Sequence, residues 1–582
     1  MKSVFKKIMA TVTLSVMSFS LAACGGGGGG RESITPDKVN NSKTQLYVKY
    51  CNGGFGRTWI DKLCEEFEEM YKDVSFEEGK TGVQIMKDFD KRNVEVGNMR
   101  GNINKVFLME DTDYYTFLSK DTLLDITDVV TDYAITGVAD GKAVKESKET
   151  IENKMLDVYK KFFNVGTETE PRYYGLPLFE TSININYNID LFNRKGLYFA
   201  EGQTAENFTE ADFADGDKIA DLFDMSRSDG AKSWGPDNKK GTYDDGLPAT
   251  YKDFRALMTY MQTVGVTPFV WNGYEMGYLT GLINDMWANN EGAEQMMLNF
   301  TFDGTAKDLV EMDSDGKIVK ENGGYKMLGD TVIDGDNYWK LQQQKGKLQA
   351  MEFAKLIMTN IDGQTNYYSK SFDSGFLHSN AQEFFLKPSD YNYNKDVAFL
   401  VDGGWWYKEM DQRQAFVTEE QRLSYNFGVL PLPKADASML GQPNTKVSDR
   451  KSWIFVNKDI DEKIIPLAKA FVSFLQNDHA LETYTRYTDA FRAMKYTVSE
   501  DTLAHMSPYG RSVNEMRNDG STVILPWLPL SETTRKNLSL INYRKYGFSW
   551  SSVEGNPLIH FAENPELTYE QYFEQVYKFR KV

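Results

Sequence analysis

Leu46, Val48 and Tyr50 alternate with polar residues in TQLYVKY, glycines follow at 53, 54 and 56, and Trp59, Leu63, Phe67 and Met70 then recur at helical spacing. Alternation, glycine punctuation and a helical period predict a strand, a tight turn and an amphipathic helix. Further on, 103-INKVFLMEDTDYYTFLSKDTLLDITD reads as a short buried strand running into an acidic and aromatic loop. This succession implies an α/β domain whose sheet is largely parallel. Ligands of such sheets sit beyond the carboxyl ends of the strands, where the NGGFG turn and the EDTDYY loop fall.

In 174-YGLPLFETSININYNIDLFNRKGL, the alternation of Ile183, Ile185 and Tyr187 predicts an extended crossing strand. Thr250 caps a helix that carries Phe254, Leu257 and Met261 on one face and stops at Gly265. The Gly- and Asp-rich region from Phe300 to about Tyr338 reads as hairpins and loops. A later helix, 464-IIPLAKAFVSFLQND-478, has Leu467, Ala470, Phe471, Phe474 and Leu475 as its apolar stripe. In 398-AFLVDGGWWYKEM-410, two glycines precede adjacent tryptophans. Neighbouring side chains face opposite ways on a strand and diverge by roughly 100° on a helix, so Trp405 and Trp406 serve different surfaces.

The N-terminus sets the compartment. Lys2, Lys6 and Lys7 precede an apolar run from Ile8 to Ala23 that ends in LAAC at Cys24, a secretory signal too short for a membrane-spanning helix of about 20 residues. LAAC resembles the bacterial lipoprotein signal, in which the cysteine is lipidated and becomes the first mature residue; an ordinary signal with an incidental cysteine is the alternative. Residues 1–23 are thus expected to be removed. Residues 24–44, with six glycines from Gly25 to Gly30 and a polar stretch behind them, are expected to form a flexible tether. Losing the three lysines moves the formal charge from −18 to about −21. Such an acidic body repels nucleic acid and anionic membrane, which leaves the anchor as the membrane contact. A chain of 582 residues with 41% hydrophobic content can bury large cores and implies at least two domains. With Cys24 assigned to lipid, Cys51 and Cys64 either pair or remain as half-buried thiols.

His378, His479, His505 and His560 lie far apart with no HExxH arrangement, and there is no GxSxG elbow or P-loop. GGFGRTW lacks the third glycine of a dinucleotide fingerprint. Neither cofactor nor metal is expected. In 311-EMDSDGKIVKEN-322, Glu311, Asp313, Asp315 and Gly316 overlay a calcium loop, but Asn322 stands where a bidentate Glu is needed. A hairpin turn at Asp315-Gly316 is expected there instead. Two carboxylates suffice for glycoside hydrolysis, and the sequence does not rank its many acidic pairs.

Taken in order, LAAC, the NGGFG turn with Trp59, VFLMEDTDYY, YGLPLFETSININYNIDLFNRKGL, LPATYKDFRALMTYMQTVGVTPFVWNG, VAFLVDGGWWYKEM, NFGVLPLPK and AFVSFLQND resemble the extracellular solute-binding proteins of family 1. These are the carbohydrate-binding subunits of ABC importers. The resemblance implies an α/β, two-lobed periplasmic-binding-protein-like (type II) fold with a hinge and an interlobe ligand cleft. Lobe 1 would comprise 45–178 and 453–515, and lobe 2 would comprise 179–452 and 516–582. The implied protein is not an enzyme. It is a monomer, anchored by lipid on the extracellular face of a bacterial cytoplasmic membrane, that captures a carbohydrate and delivers it to ABC permease subunits. The 14% aromatic content favours an oligosaccharide. A surface glycoside hydrolase and a binder of peptides or another polar solute are the alternatives. The body is longer than is usual for the family, and the excess between about Glu291 and Ser389 has no assignment.

The resemblance also places candidate ligand contacts. Phe55 lies in the first strand-helix turn, as a contact or a core ring, and Asp111 and Tyr114 lie in the second such loop. Glu180, at the first crossing, faces either the cleft or solvent. Trp271 in PFVWNG either forms a platform or packs. Arg492 falls in TDAFRAMKY, where the family has a glycine and proline turn that is missing here. Trp527 and Trp550 lie where the chain returns to the second lobe. Trp405 is expected to face the cleft and Trp406 the core, while Asp402 either accepts a sugar hydroxyl or caps the following helix.

Overall fold

The computed structural model describes residues 38–89, 94–110, 113–361, 363–413, 418–448, 451–518, 520–536, 547–549 and 555–581. Among these, nine strands build the two main sheets. In chain order they are β1 (Thr44–Tyr50), β2 (Val83–Asp88), β3 (Val106–Glu110), β4 (Leu176–Pro177), β5 (Ile183–Asn188), β6 (Val266–Val270), β7 (Asp396–Gly403), β8 (Phe427–Leu430) and β9 (Ser452–Val456).

One unit takes in the described residues up to Phe179 and then Lys451–Ser499. Its sheet has the order β2-β1-β3-β9-β4, with β1 parallel to β2 and β3, and β9 antiparallel to both of its neighbours. Strand β3 is buried along its whole length, as an apolar run between two partners must be. Helix α1 (Thr58–Met70) buries Trp59, Leu63 and Phe67, as their spacing predicts. Phe67 meets Phe471 and Phe474 of the helix Ile465–Phe474, with ring centroids 5.1 and 5.4 Å away. Cys51 and Cys64 are both fully buried and not joined to each other. Burial pushes the Cys64 thiol up, so it stays protonated and inert.

The second unit comprises Glu180–Arg450 and the chain from Glu500 onward. The return to it comes before the expected 515, because the helix Pro508–Asn518 carries Tyr509 and Met516 into this unit's core beside Trp406, Phe427 and Val429. The sheet runs β8-β5-β7-β6, with β5 antiparallel to β7 and β8, and β6 parallel to β7. Alternation in β5 does not mean that one face is wet: Asn184 and Asn186 are as buried as Ile183 and Ile185. Asn186 donates its amide to the carbonyls of Leu400 and Asp402 at 3.2 and 3.4 Å. The helix Tyr251–Thr263 starts on a reciprocal Thr250–Asp253 capping box.

Much of the excess length folds onto this unit. Helix α2 (Gly277–Thr301) leads into the antiparallel strands Gly304–Ala306 and Thr331–Ile333 and then helix α3 (Lys345–Met358). Leu298, Phe302, Ala306, Leu309, Ile333 and Leu341 form a small core of their own there. The stretch around Asp315-Gly316 is a hairpin turn, in which Asp313 N–H donates to the Lys317 carbonyl at 2.9 Å. The Asp313 carboxylate accepts from the N–H groups of Asp315 and Lys317. Among the described residues, no helix is long and apolar enough to cross a membrane.

Candidate ligand-binding site

In the second unit, β6, β7 and β8 end at the sheet edge where β5 begins, because β5 runs against β7 and β8. That edge collects Trp271 and Asn272 after β6, Gly404 and Trp405 after β7, and Glu180 to Ser182 before β5. Helix α2 lies along it with a stripe at 278, 281, 285 and 289, the spacing of one helix face. The Tyr278 ring sits 5.7 Å from that of Trp405. A side chain on Gly281 would come within 2.6 Å of Ile183. Asp285 accepts the Val447 N–H at 2.8 Å, and Asn289 donates to the carbonyls of Leu432 and Pro433.

The edge is polar beneath its aromatic parts. Lys446 is buried and donates to Asn184 Oδ1 at 2.5 Å and to the Ile183 carbonyl at 3.3 Å. Burial pulls its ammonium down to about 8, with the Asp285 charge working the other way. The Asn184 amide donates in turn to Tyr509 Oη at 3.3 Å. Thr181 Oγ1, Asn272 Nδ2 and Asn284 Oδ1 are buried with no hydrogen-bond partner among the described residues. A buried polar atom left unpaired costs about 1–3 kcal/mol, so a ligand or water that supplies the missing donor or acceptor is favoured there. Tyr274, between Asn272 and α2, is 50% exposed and presents its ring to solvent.

The adjacent tryptophans diverge, but neither is an open platform. The Trp405 indole folds back across Gly403, its ring carbons 2.1–2.4 Å from where a Cβ on that glycine would stand. Gly403 is therefore required by the close approach of the ring. Trp406 enters helix α4 (Trp406–Gln412) and packs on Phe385, Phe427 and Tyr509 with centroids 5.2–5.7 Å apart. Both are completely buried. Asp402 does not cap α4. Its Oδ1 accepts its neighbour Gly403 N–H at 2.7 Å and its Oδ2 accepts the Gln382 amide at 2.9 Å. Gln382 also binds Glu409 and Arg413, and burial together with the Glu409 charge pushes Asp402 up to about 8. It is a buried network member rather than a ligand contact. Trp271 packs against Tyr367 and Phe372 at 5.0 and 5.3 Å and is core, not platform. Glu180 is half-buried, its carboxyl pushed up to about 7 by burial against the pull of Arg517. Trp527 is half-buried just past the strand Thr522–Leu525.

Three candidates in the first unit also turn inward. Phe55 is buried against Phe179 at 4.8 Å and Tyr484 at 6.1 Å. Tyr114 lies among Phe162, Phe163 and Trp453. Arg492 is completely buried, donating to the carbonyls of Leu178 and Leu475 and to Gln476 Oε1. Burial lowers its guanidinium to about 10, still charged at neutral pH. The strand-end carboxylate here is Glu110, buried and pressed on Gly53, whose φ of +55° and lack of room both exclude a side chain. Asp111, Trp550 and Cys24 lie outside the described residues. Sequence reasoning passed over Thr181, Asn272, Tyr274, Asn284 and Lys446. The ETS and WNGY contexts carried the only signal, polar residues directly flanking apolar strands. Among the described residues, no group of three or more His, Cys, Asp or Glu is arranged to hold a metal ion.

No protein-family model and no curated protein sequence matches the chain. Among solved structures, a chitin oligosaccharide binding protein is similar over 93% of this chain and 98% of its own, with a TM-score of 0.51 and 14% identity. Also similar are the apo form of RafE from Streptococcus pneumoniae (TM-score 0.46, 12% identity, 93% and 98% covered) and a family 1 extracellular solute-binding protein from Bifidobacterium longum subsp. infantis (TM-score 0.44, 12% identity, 92% and 99% covered). The first likeness establishes the fold: α/β, and shared with that protein along nearly the whole chain.

Proposed function

We propose that the protein is a lipid-anchored extracellular solute-binding protein that captures a carbohydrate, in particular an oligosaccharide, and delivers it to the permease of an ABC importer without cleaving it. The near-full-length likeness to a chitin oligosaccharide binding protein is the observation that carries this reading. The strand-end edge of the second unit agrees with it chemically. A sugar hydroxyl both donates and accepts, so it pairs equally with Asn272 Nδ2, Asn284 Oδ1 or Thr181 Oγ1. The C–H faces of a pyranose pack on an exposed ring such as Tyr274. Attachment through Cys24 and the tether 24–44, supported by the LAAC sequence and the glycine run, belong to the same reading, as does a monomeric state.

A sugar array followed by titration tests the proposal. Thr181→Val removes one hydroxyl and keeps the shape. Its affinity for the sugar found is expected to fall about tenfold, near 1.4 kcal/mol, with no fall in the unfolding midpoint. Unchanged affinity removes Thr181 from the site, and failure with every sugar refutes carbohydrate binding.

A further inference from the structure

Helix α2 breaks its regular path at Gly292, where φ is 74° and ψ is 168°. The residue before the break, Glu291, is a buried acid, 8% exposed, and is not one of the residues of this helix that the proposed binding role uses. Its Oε1 accepts the N–H of Gly346 in the first turn of α3 at 2.5 Å. A side chain on Gly346 would stand 2.6 Å from that oxygen, so the carboxyl fills the space a Cβ would take. Its Oε2 and Asp308 Oδ1 are both buried without an N–H or O–H from the rest of the described chain, and the two carboxyls lie within hydrogen-bond reach of each other.

Two ionised carboxylates do not share such a site; one proton between them turns the repulsion into a hydrogen bond. Burial and the Asp308 charge accordingly hold Glu291 well above the usual carboxylate range, with the Gly346 N–H and the Lys345 ammonium pulling the other way. Lys307 is on the same segment, but it is paired with Glu294 at 3.0 Å. Asp308 itself is fixed, because its carbonyl accepts the Lys345 N–H at 3.0 Å. The pair thus joins the break in α2, the start of α3 and the excess segment at one buried point.

We propose that Glu291 and Asp308 form a proton-sharing latch that holds the segment 302–344 against α2 and α3, and that loss of the proton loosens it. In the unfolded chain Glu291 titrates as an ordinary carboxylate. The folded protein keeps a proton that the unfolded chain has lost, so stability falls as pH rises above that ordinary range towards the folded value. Glu291→Gln reproduces the protonated acid, with an amide N–H for Asp308 and a carbonyl for Gly346.

The experiment is denaturant unfolding and amide hydrogen exchange of the wild type, Glu291→Gln and Asp308→Asn, from about pH 5 to about pH 9. Relative to either variant, the wild-type unfolding constant is expected to rise by up to about tenfold per pH unit, the slope of one proton. Exchange within 302–344 should accelerate beyond its intrinsic pH dependence in the wild type alone. Parallel profiles in all three proteins overturn the proposal. So does failure of both variants to fold at neutral pH, since the latch predicts that they tolerate it. If added calcium or magnesium abolishes the wild-type slope and leaves the variants unmoved, the pair holds a cation instead, which also overturns it.

Discussion

Arg492→Ala is expected to destabilise the protein by about 3–5 kcal/mol and to lower its melting temperature by on the order of 10 °C. The guanidinium serves three buried acceptors, the carbonyls of Leu178 and Leu475 and the side-chain carbonyl of Gln476. Each acceptor left unpaired costs about 1–3 kcal/mol, which water entering the vacated space offsets only in part. Arg492→Lys is expected to rescue little, because a single ammonium does not reproduce the fork that reaches three separate groups. Denaturant unfolding followed by circular dichroism checks this. If stability stays level while ligand affinity collapses, Arg492 is a ligand contact, as the family resemblance suggested, and its assignment to the core is wrong.

Trp406→Ala is expected to cost a further class of core energy, about 3–5 kcal/mol, as removal of a fully buried indole generally does. The ring is enclosed by Phe385, Tyr407, Phe427 and Tyr509, so the cavity has no flexible side that could collapse cheaply. Protein that remains folded should keep its ligand affinity. Trp405→Ala differs: its ring is equally buried but lies on Gly403 and Tyr278 at the strand-end edge. That variant should lose stability as well as affinity, because the ring expected to face the cleft is in fact fully buried. Unfolding midpoints and titrations measured on both variants separate the two effects.

The local grammar of the chain was legible. Alternation and helical spacing placed β1, its glycine turn and α1, and the Thr250 cap and the turn at Asp315 form where their short-range chemistry puts them. The fate of the aromatic candidates was not legible. A ring at a strand end reads the same whether it stacks on a ligand or packs. For Phe55 the deciding partners, Phe179 and Tyr484, are far away in sequence. Burial of Arg492 depends in the same way on Leu178 arriving from another part of the chain. Thr181 and Asn284 matter because burial strips them of partners, which no periodicity announces. Glu291 and Asp308 look like two ordinary acids among 84 until the break at Gly292 and the start of α3 bring them together.

The most direct test of the account is calorimetric titration of the purified mature chain with oligosaccharides drawn from a sugar array, with the recovered sugar then analysed for cleavage. Saturable binding of at least one oligosaccharide, in about the micromolar range or tighter and with the sugar recovered intact, is the predicted result. Cleaved products, or binding of peptides with no response to any sugar, would contradict it.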